Sequence, residues 1–222
     1  MKTSINESYF KKITSPTQAY LFGLMWADGC ISGNRLSIGL KSSDAELLEI
    51  ASQEIGNVIK HRKRYDKRTD KNYFVSEWYV NSEKIVKDIK SLGFRKKPKF
   101  AKKWFPWFLL GFFDGDGNVH LTKSGHVQVC FAAPKNHDWE WFYNAVKTLG
   151  KFEFTEIHRT GKDGHSGSDL RIFGLEALKL LDKIQQGNLG LSRKRSIYLK
   201  AKEIYKNKRI MPIRRTKTRV VR

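Results

Sequence analysis

The chain has 222 residues, 40% apolar and 13% aromatic, enough to build a core in one large domain or two small ones. Its 43 Lys and Arg against 22 Asp and Glu leave a net charge of +21, which points to a polyanionic partner because such side chains displace counterions from phosphates. Two cysteines without CxxC spacing exclude a zinc ribbon and a disulfide framework, and a longest apolar run of about ten residues, WFPWFLLGFF, is half of what a membrane span needs.

The N-terminal lead, residues 1–15, is polar and lacks a signal-peptide core, so a soluble, intracellular protein is expected. SPTQAYLFGLMWADG follows, with Ser15 as a helix cap, Pro16 in the first turn and Gly29 as a stop. In RLSIGLK, Leu36, Ile38 and Leu40 alternate with polar residues, which predicts a half-buried strand. SSDAELLEIASQEIG has a Ser/Asp start, apolar spacing near 3.6 and Gly56 at its end, which predicts a helix. A hairpin with a basic tip (VIKHRKRYDKRTDKNYFVSEWYV) and a further helix (SEKIVKDIKSLG) come next.

The order then restarts. WFLLGFFDGDG is a helix with a Gly stop, HVQVCF an alternating strand, NHDWEWFYNAVKTLG a helix, KFEFTEIHRTGKDGHSGSDLRIFG a hairpin and LEALKLLDKIQQG a helix. A shift of 94 residues carries Lys41 to Lys135, Asp44 to Asp138, Gly56 to Gly150 and Gly93 to Gly187, whereas Asp28/Asp116 and Gly29/Gly117 lie 88 apart. The first hairpin should therefore be six residues longer in the second copy. This is an internal repeat. It reads as an α+β chain of two copies, 16–100 and 101–205, each in the order αββαββα, and a basic tail, 206–222.

Gly23 and Ala27 in the first copy, and Gly111 and Gly115 in the second, are four residues apart and so share a helix face. Small residues there would let the two helices pack closely and bring Asp28 and Asp116 together. An acid at a helix C-terminus meets the negative end of the dipole and costs several tenths of a kcal/mol, and two acids repel further. A divalent cation removes that penalty. An open site with oxygen ligands suits Mg²⁺, which beside a phosphate can activate water and stabilise a leaving oxygen. A plain Asp-Gly turn explains one such helix end more simply than two.

LFGLMWADG and LLGFFDGDG resemble the paired signatures of the LAGLIDADG homing endonucleases, and the repeat resembles their single-chain, two-motif members over about residues 16–205. The first signature departs at Trp26, where an Asp is common. The resemblance implies a monomer of two pseudo-symmetric halves, each with a curved antiparallel sheet, with the motif helices at its centre and the two saddle-shaped sheets lying on double-stranded DNA. It places Mg²⁺ at Asp28 and Asp116, with Ala27 and Gly115 completing the metal set, and implies cleavage of both strands with four-base 3′ overhangs. Lys41 and, through the 94-residue shift, Lys135 take the place of basic residues assisting catalysis.

If the alternating apolar residues face the helices, Arg35 and Ser37 in the first copy and His126 and Gln128 in the second face the DNA. Glu77, Tyr79 and Arg171 fall on the faces opposite Trp78 and Ile172, and His61, Arg62, Lys63, Arg64 and Arg159 lie in the longer hairpins. A two-stranded ribbon fits the major groove. Arg and Gln are candidate base readers, and Lys at hairpin tips a phosphate contact. Trp104, Trp107, Trp139 and Trp141 are expected in the core. The reading is a metal-dependent DNA endonuclease. The alternatives are an RNA maturase, with intron RNA as its partner, and a DNA-binding regulator on an inactive scaffold. An intron-borne or free-standing reading frame is expected rather than an intein.

Overall fold

A computed structural model describes residues 4–66, 70–134, 137–160 and 166–207. Helix α1 (Pro16–Asp28) starts in a capping box, in which the Ser15 side chain accepts from the Gln18 amide and the Gln18 side chain accepts from the Ser15 amide. The chain continues directly into β1 (Gly29–Ser32) and β2 (Arg35–Lys41), then α2 (Glu46–Ile55), β3 (Lys60–Asp66), β4 (Lys71–Asn81) and α3 (Glu83–Ser91). The second half repeats this order as α4 (Phe105–Asp116), β5 (Gly117–Leu121), β6 (Val127–Pro134), α5 (Glu140–Lys147), β7 (Thr155–Thr160), β8 (Ser166–Phe173) and α6 (Gly174–Ile184). A last helix, α7 (Ser192–Asn207), was not expected from the sequence. Most of the basic tail lies outside the described residues.

Each half carries one four-stranded antiparallel sheet, ordered β1-β2-β4-β3 and β5-β6-β8-β7. Alternation sends Leu36, Ile38, Trp78 and Val80 into the core on one side, and Val127, Val129, Phe131, Leu170 and Ile172 on the other. Against them pack α1 and α4, whose aromatic residues interleave: Trp26 contacts Phe108 and Trp141, and Phe112 stacks on Phe131. Of the four tryptophans expected inside, Trp139 and Trp141 are buried, while Trp104 and Trp107 are half-buried against the same core. Tyr9, Phe10 and Ile13 of the lead are buried as well. No described helix is long and apolar enough to cross a membrane.

The registers refine the repeat. Ile38 faces Gly29, and Phe131 faces Gly117, so these two core residues correspond at a spacing of 93. Their partners on the next strand, Trp78 and Leu170, correspond at 92. No single shift therefore holds: α1 and α4 end 88 residues apart, α2 and α5 end 92 apart and α3 and α6 end 93 apart, because the connecting segments differ in length. Lys41 faces Val75, and its register equivalent, facing Gly167, is Pro134 rather than Lys135. Lys135 lies outside the described residues.

Candidate metal centre and nucleic-acid face

The two motif helices meet through their small residues. A Cβ on Gly23 would lie 2.0 Å from the Phe108 carbonyl oxygen, and one on Gly111 would lie 2.0 Å from that of Tyr20. One turn on, a Cβ on Gly115 would lie 2.4 Å from Ala27 Cβ and 2.7 Å from Asp28 Oδ2. All four small residues thus sit at the crossing. The Asp28 carboxylate lies over Gly115, beside Asp116 at the end of the partner helix.

Burial pushes the Asp28 carboxyl up to about 6, and the neighbouring Asp116 charge adds to the rise. Burial also raises Asp116. The cations that pull both acids back down are Arg95 and Lys194. Sequence reading missed these two residues, which do the same job in each half. Arg95, just beyond α3 and held at φ +52°, donates to the carbonyls of Trp26, Ala27 and Gly29 at 3.3, 3.1 and 2.8 Å. Lys194, in the first turn of α7, donates through Nζ to the carbonyls of Phe113, Asp114 and Gly117 at 2.6, 2.8 and 2.6 Å. Each cation satisfies carbonyls left open at a helix C-terminus and counters the dipole there. Burial draws Lys194 down to about 8, against the opposing pull of the Asp114 carboxylate.

Asp114, on α4, ties the halves together. Its Oδ2 accepts from the Tyr20 hydroxyl of α1 and from the Leu191 amide ahead of α7, both at 2.9 Å, and burial raises its pKa to about 6. The next residues of α7 reach the first half. Ser192 donates through its amide and hydroxyl to Glu46, and Arg193 forms a two-point ion pair with Asp44 at 3.0 and 2.8 Å. Asp44, expected to start the following helix, instead closes a 3-10 turn and anchors α7.

Among the described residues, no group of three or more His, Cys, Asp or Glu converges as a metal site. Magnesium needs fewer protein ligands, since it is held by one or two carboxylates and keeps several waters. Two half-buried acids that repel each other, with backbone oxygens beside them, fit that donor chemistry. The Ala27 carbonyl accepts a hydrogen bond from Arg95, and a carbonyl oxygen carries two lone pairs.

No described helix covers the sheet faces turned away from α1 and α4, and these faces are rich in cations. Register puts Arg35, Ser37, Lys41, Arg62, Arg64, Glu77 and Tyr79 on this open face in the first half, with the Arg35 guanidinium stacked 3.9 Å over the Tyr79 ring. His61 and Lys63, candidate DNA contacts in the same hairpin, alternate to the other side, where they face Ser76 and Phe74. In the second half the open face holds His120, Gln128, Arg159, Asp169 and Arg171. His126 precedes β6 with the parity of Gln128, and its amide is held by the Thr122 hydroxyl.

The LAGLIDADG-like domain pattern matches residues 15–93. The homing endonuclease I-WcaI, solved bound to its DNA recognition sequence, superposes with a TM-score of 0.59 at 12% identity over 86% of this chain and 90% of that one. The N-terminal LAGLIDADG domain of DUF199/WhiA (TM-score 0.49, 16% identity, 82% and 91% covered) and the I-SmaMI LAGLIDADG homing endonuclease bound to cleaved DNA (0.48, 11%, 87% and 89%) lie below 0.5. The fold likeness therefore rests on the first. No curated protein matches the sequence. Two pseudo-symmetric halves, joined by motif helices that touch backbone to backbone and each end in an aspartate, give this chain a LAGLIDADG-type fold.

Proposed function

We propose that the chain is a site-specific double-stranded DNA endonuclease that hydrolyses phosphodiester bonds with magnesium. The observation that carries this reading is the pair Asp28 and Asp116, half-buried side by side at a helix crossing that only glycine and alanine permit. A protein that only binds DNA gains nothing from that repulsion. Asp28 and Asp116, with the backbone carbonyls of Ala27 and Gly115, would hold the metal. When bound, magnesium supplies an activated water and charge stabilisation for the leaving oxygen.

The chain's own residues do the rest. Arg95 and Lys194 lock the helix ends, so the carboxylates are fixed before DNA arrives. The two open sheet faces present arginines to the grooves and basic hairpins to the backbone. Lys41, on the open face at the end of β2, remains the candidate for a basic residue that assists catalysis in the first half. The test is incubation of a randomised duplex library with the full chain and Mg²⁺, followed by sequencing of the ends. Staggered cuts on both strands at one related set of sites, with four-base 3′ overhangs, are expected. Absence of cut ends, or identical ends in EDTA, would overturn the proposal.

A further inference from the structure

The open faces of the two sheets carry the same three-part unit. In the first half, Glu77 on β4 accepts from Arg35 of β2 at 3.1 Å, and its second oxygen meets the Arg62 guanidinium of β3. In the second, Asp169 on β8 accepts from Arg159 of β7 at 2.6 Å and from Arg171 of β8 at 2.9 Å. Glu77 and Asp169 each stand one residue before the core pair Trp78 and Leu170, and Arg62 and Arg159 each face the position two residues before the acid. The two acids are thus register equivalents, and so are Arg62 and Arg159. The other arginines, Arg35 and Arg171, come from non-equivalent positions, so the unit is completed differently in each half.

The acids are sunk between strands, with side chains 15% and 3% exposed, while Arg62 and Arg159 remain 46% and 53% exposed. Exposed ion pairs add little stability, and a desolvated acid costs some. What the unit does achieve is to fix guanidinium groups on a face that no described helix covers. Each acid engages one edge of its arginines and leaves other donors of the five-donor fork free. Arg62 and Arg159 stand on the edge strands β3 and β7, and pairing with Glu77 and Asp169 on the adjoining inner strands draws each guanidinium inward over the sheet face, toward where base edges lie when the sheet is seated in a major groove. Guanine offers O6 and N7 there, the pair of acceptors an arginine fork matches.

We propose that Arg62 and Arg159, held by Glu77 and Asp169, read one guanine each, at matching distances on either side of the cleavage centre. Glu77 and Asp169 act as positioning residues that do not touch the base. This rests on the DNA-binding part of the proposed function and not on cleavage.

The experiment is iterative selection of randomised duplex DNA by the full chain in metal-free buffer, with the bound fraction sequenced. Wild type should yield a guanine column in each half-site. Arg62→Lys and Arg159→Lys keep the charge but lose the fork. Each should flatten its own column, with other columns unchanged and affinity for the selected site roughly ten- to hundred-fold weaker. Glu77→Gln and Asp169→Asn should weaken the same columns, a readout that a purely structural ion pair would not move. If either acid variant fails to fold, the exposed Arg→Lys pair carries the test. Guanine columns that persist in the lysine variants, or affinity lost equally for every sequence, would overturn the proposal. Enrichment without guanine columns rejects this inference alone, whereas no enrichment at all rejects DNA binding with it.

Discussion

Replacing Gly111 with alanine probes the helix crossing on which the site depends. In an isolated helix the change would stabilise by about 1 kcal/mol, because alanine is the better helix former. Here the new Cβ would fall 2.0 Å from the Tyr20 carbonyl oxygen and 2.7 Å from the Leu24 amide nitrogen, where 3.0 Å is the least a real Cβ shows. Both are backbone atoms, so the helices must part by about 1 Å. Overpacking of this kind costs about 1–3 kcal/mol or more. With two backbone contacts below the limit the upper end applies, leaving a net loss of about 2 kcal/mol. For a domain of this size that lowers Tm by roughly 4–8 °C. Cleavage should fall further than stability, about a hundred-fold at temperatures where the variant is folded, since a displacement of 1 Å misplaces the acids. Thermal unfolding and single-turnover cleavage measure the two effects, with Gly39→Ala, whose Cβ would meet nothing within 4 Å, as the stability control. A Gly111→Ala variant as stable as wild type, or more so, would refute the close crossing.

Asp114→Ala should destabilise by roughly 2 kcal/mol or more, because it strands the buried Tyr20 hydroxyl and Leu191 amide; chemical denaturation reads this directly. Asp28 and Asp114 both have folded pKa values raised to about 6, so between pH 4 and 6 the folded state keeps protons that the unfolded state has released. Stability should therefore fall as pH rises across that window, by at most about 3 kcal/mol per acid, and level off above it. Because magnesium needs the ionised acids, its stabilising effect on Tm should be larger at pH 7 than at pH 5, and equal shifts at both would count against the site. DNA affinity should drop steeply with salt, with a log–log slope near −9 if about ten phosphates are neutralised; a flat response in a binding titration would remove the electrostatic argument.

The helix crossing was legible because four-residue spacing of Gly23, Ala27, Gly111 and Gly115 has one geometric meaning on a helix, and the structure places all four at the contact. The strands were legible from alternation, which fixed the faces of Arg35, Glu77 and Arg171 correctly. In the basic hairpin a run of like-charged residues hides the alternation that separates His61 and Lys63 from Arg62 and Arg64. The register of the repeat could not be read through hairpins of unequal length, which is why Lys135 was chosen where Pro134 stands. Helix α7 was missed because only Lys194, Tyr198 and Ala201 are buried along its 16 residues, too sparse a stripe to show as a period. Its role rests on polar contacts at its N-terminus. Arg95, Arg193 and Lys194 carry no mark in a chain of 43 cations, because their partners are carbonyls and acids distant in sequence.

Asp28 and Asp116 together form the proposed metal-dependent hydrolytic centre. Asp28→Asn and Asp116→Asn, each assayed with Mg²⁺ on a duplex that the wild type cuts and binds, test it most directly. Both variants should lose double-strand cleavage while keeping affinity for that duplex close to wild type. Undiminished cutting by either one would contradict the account.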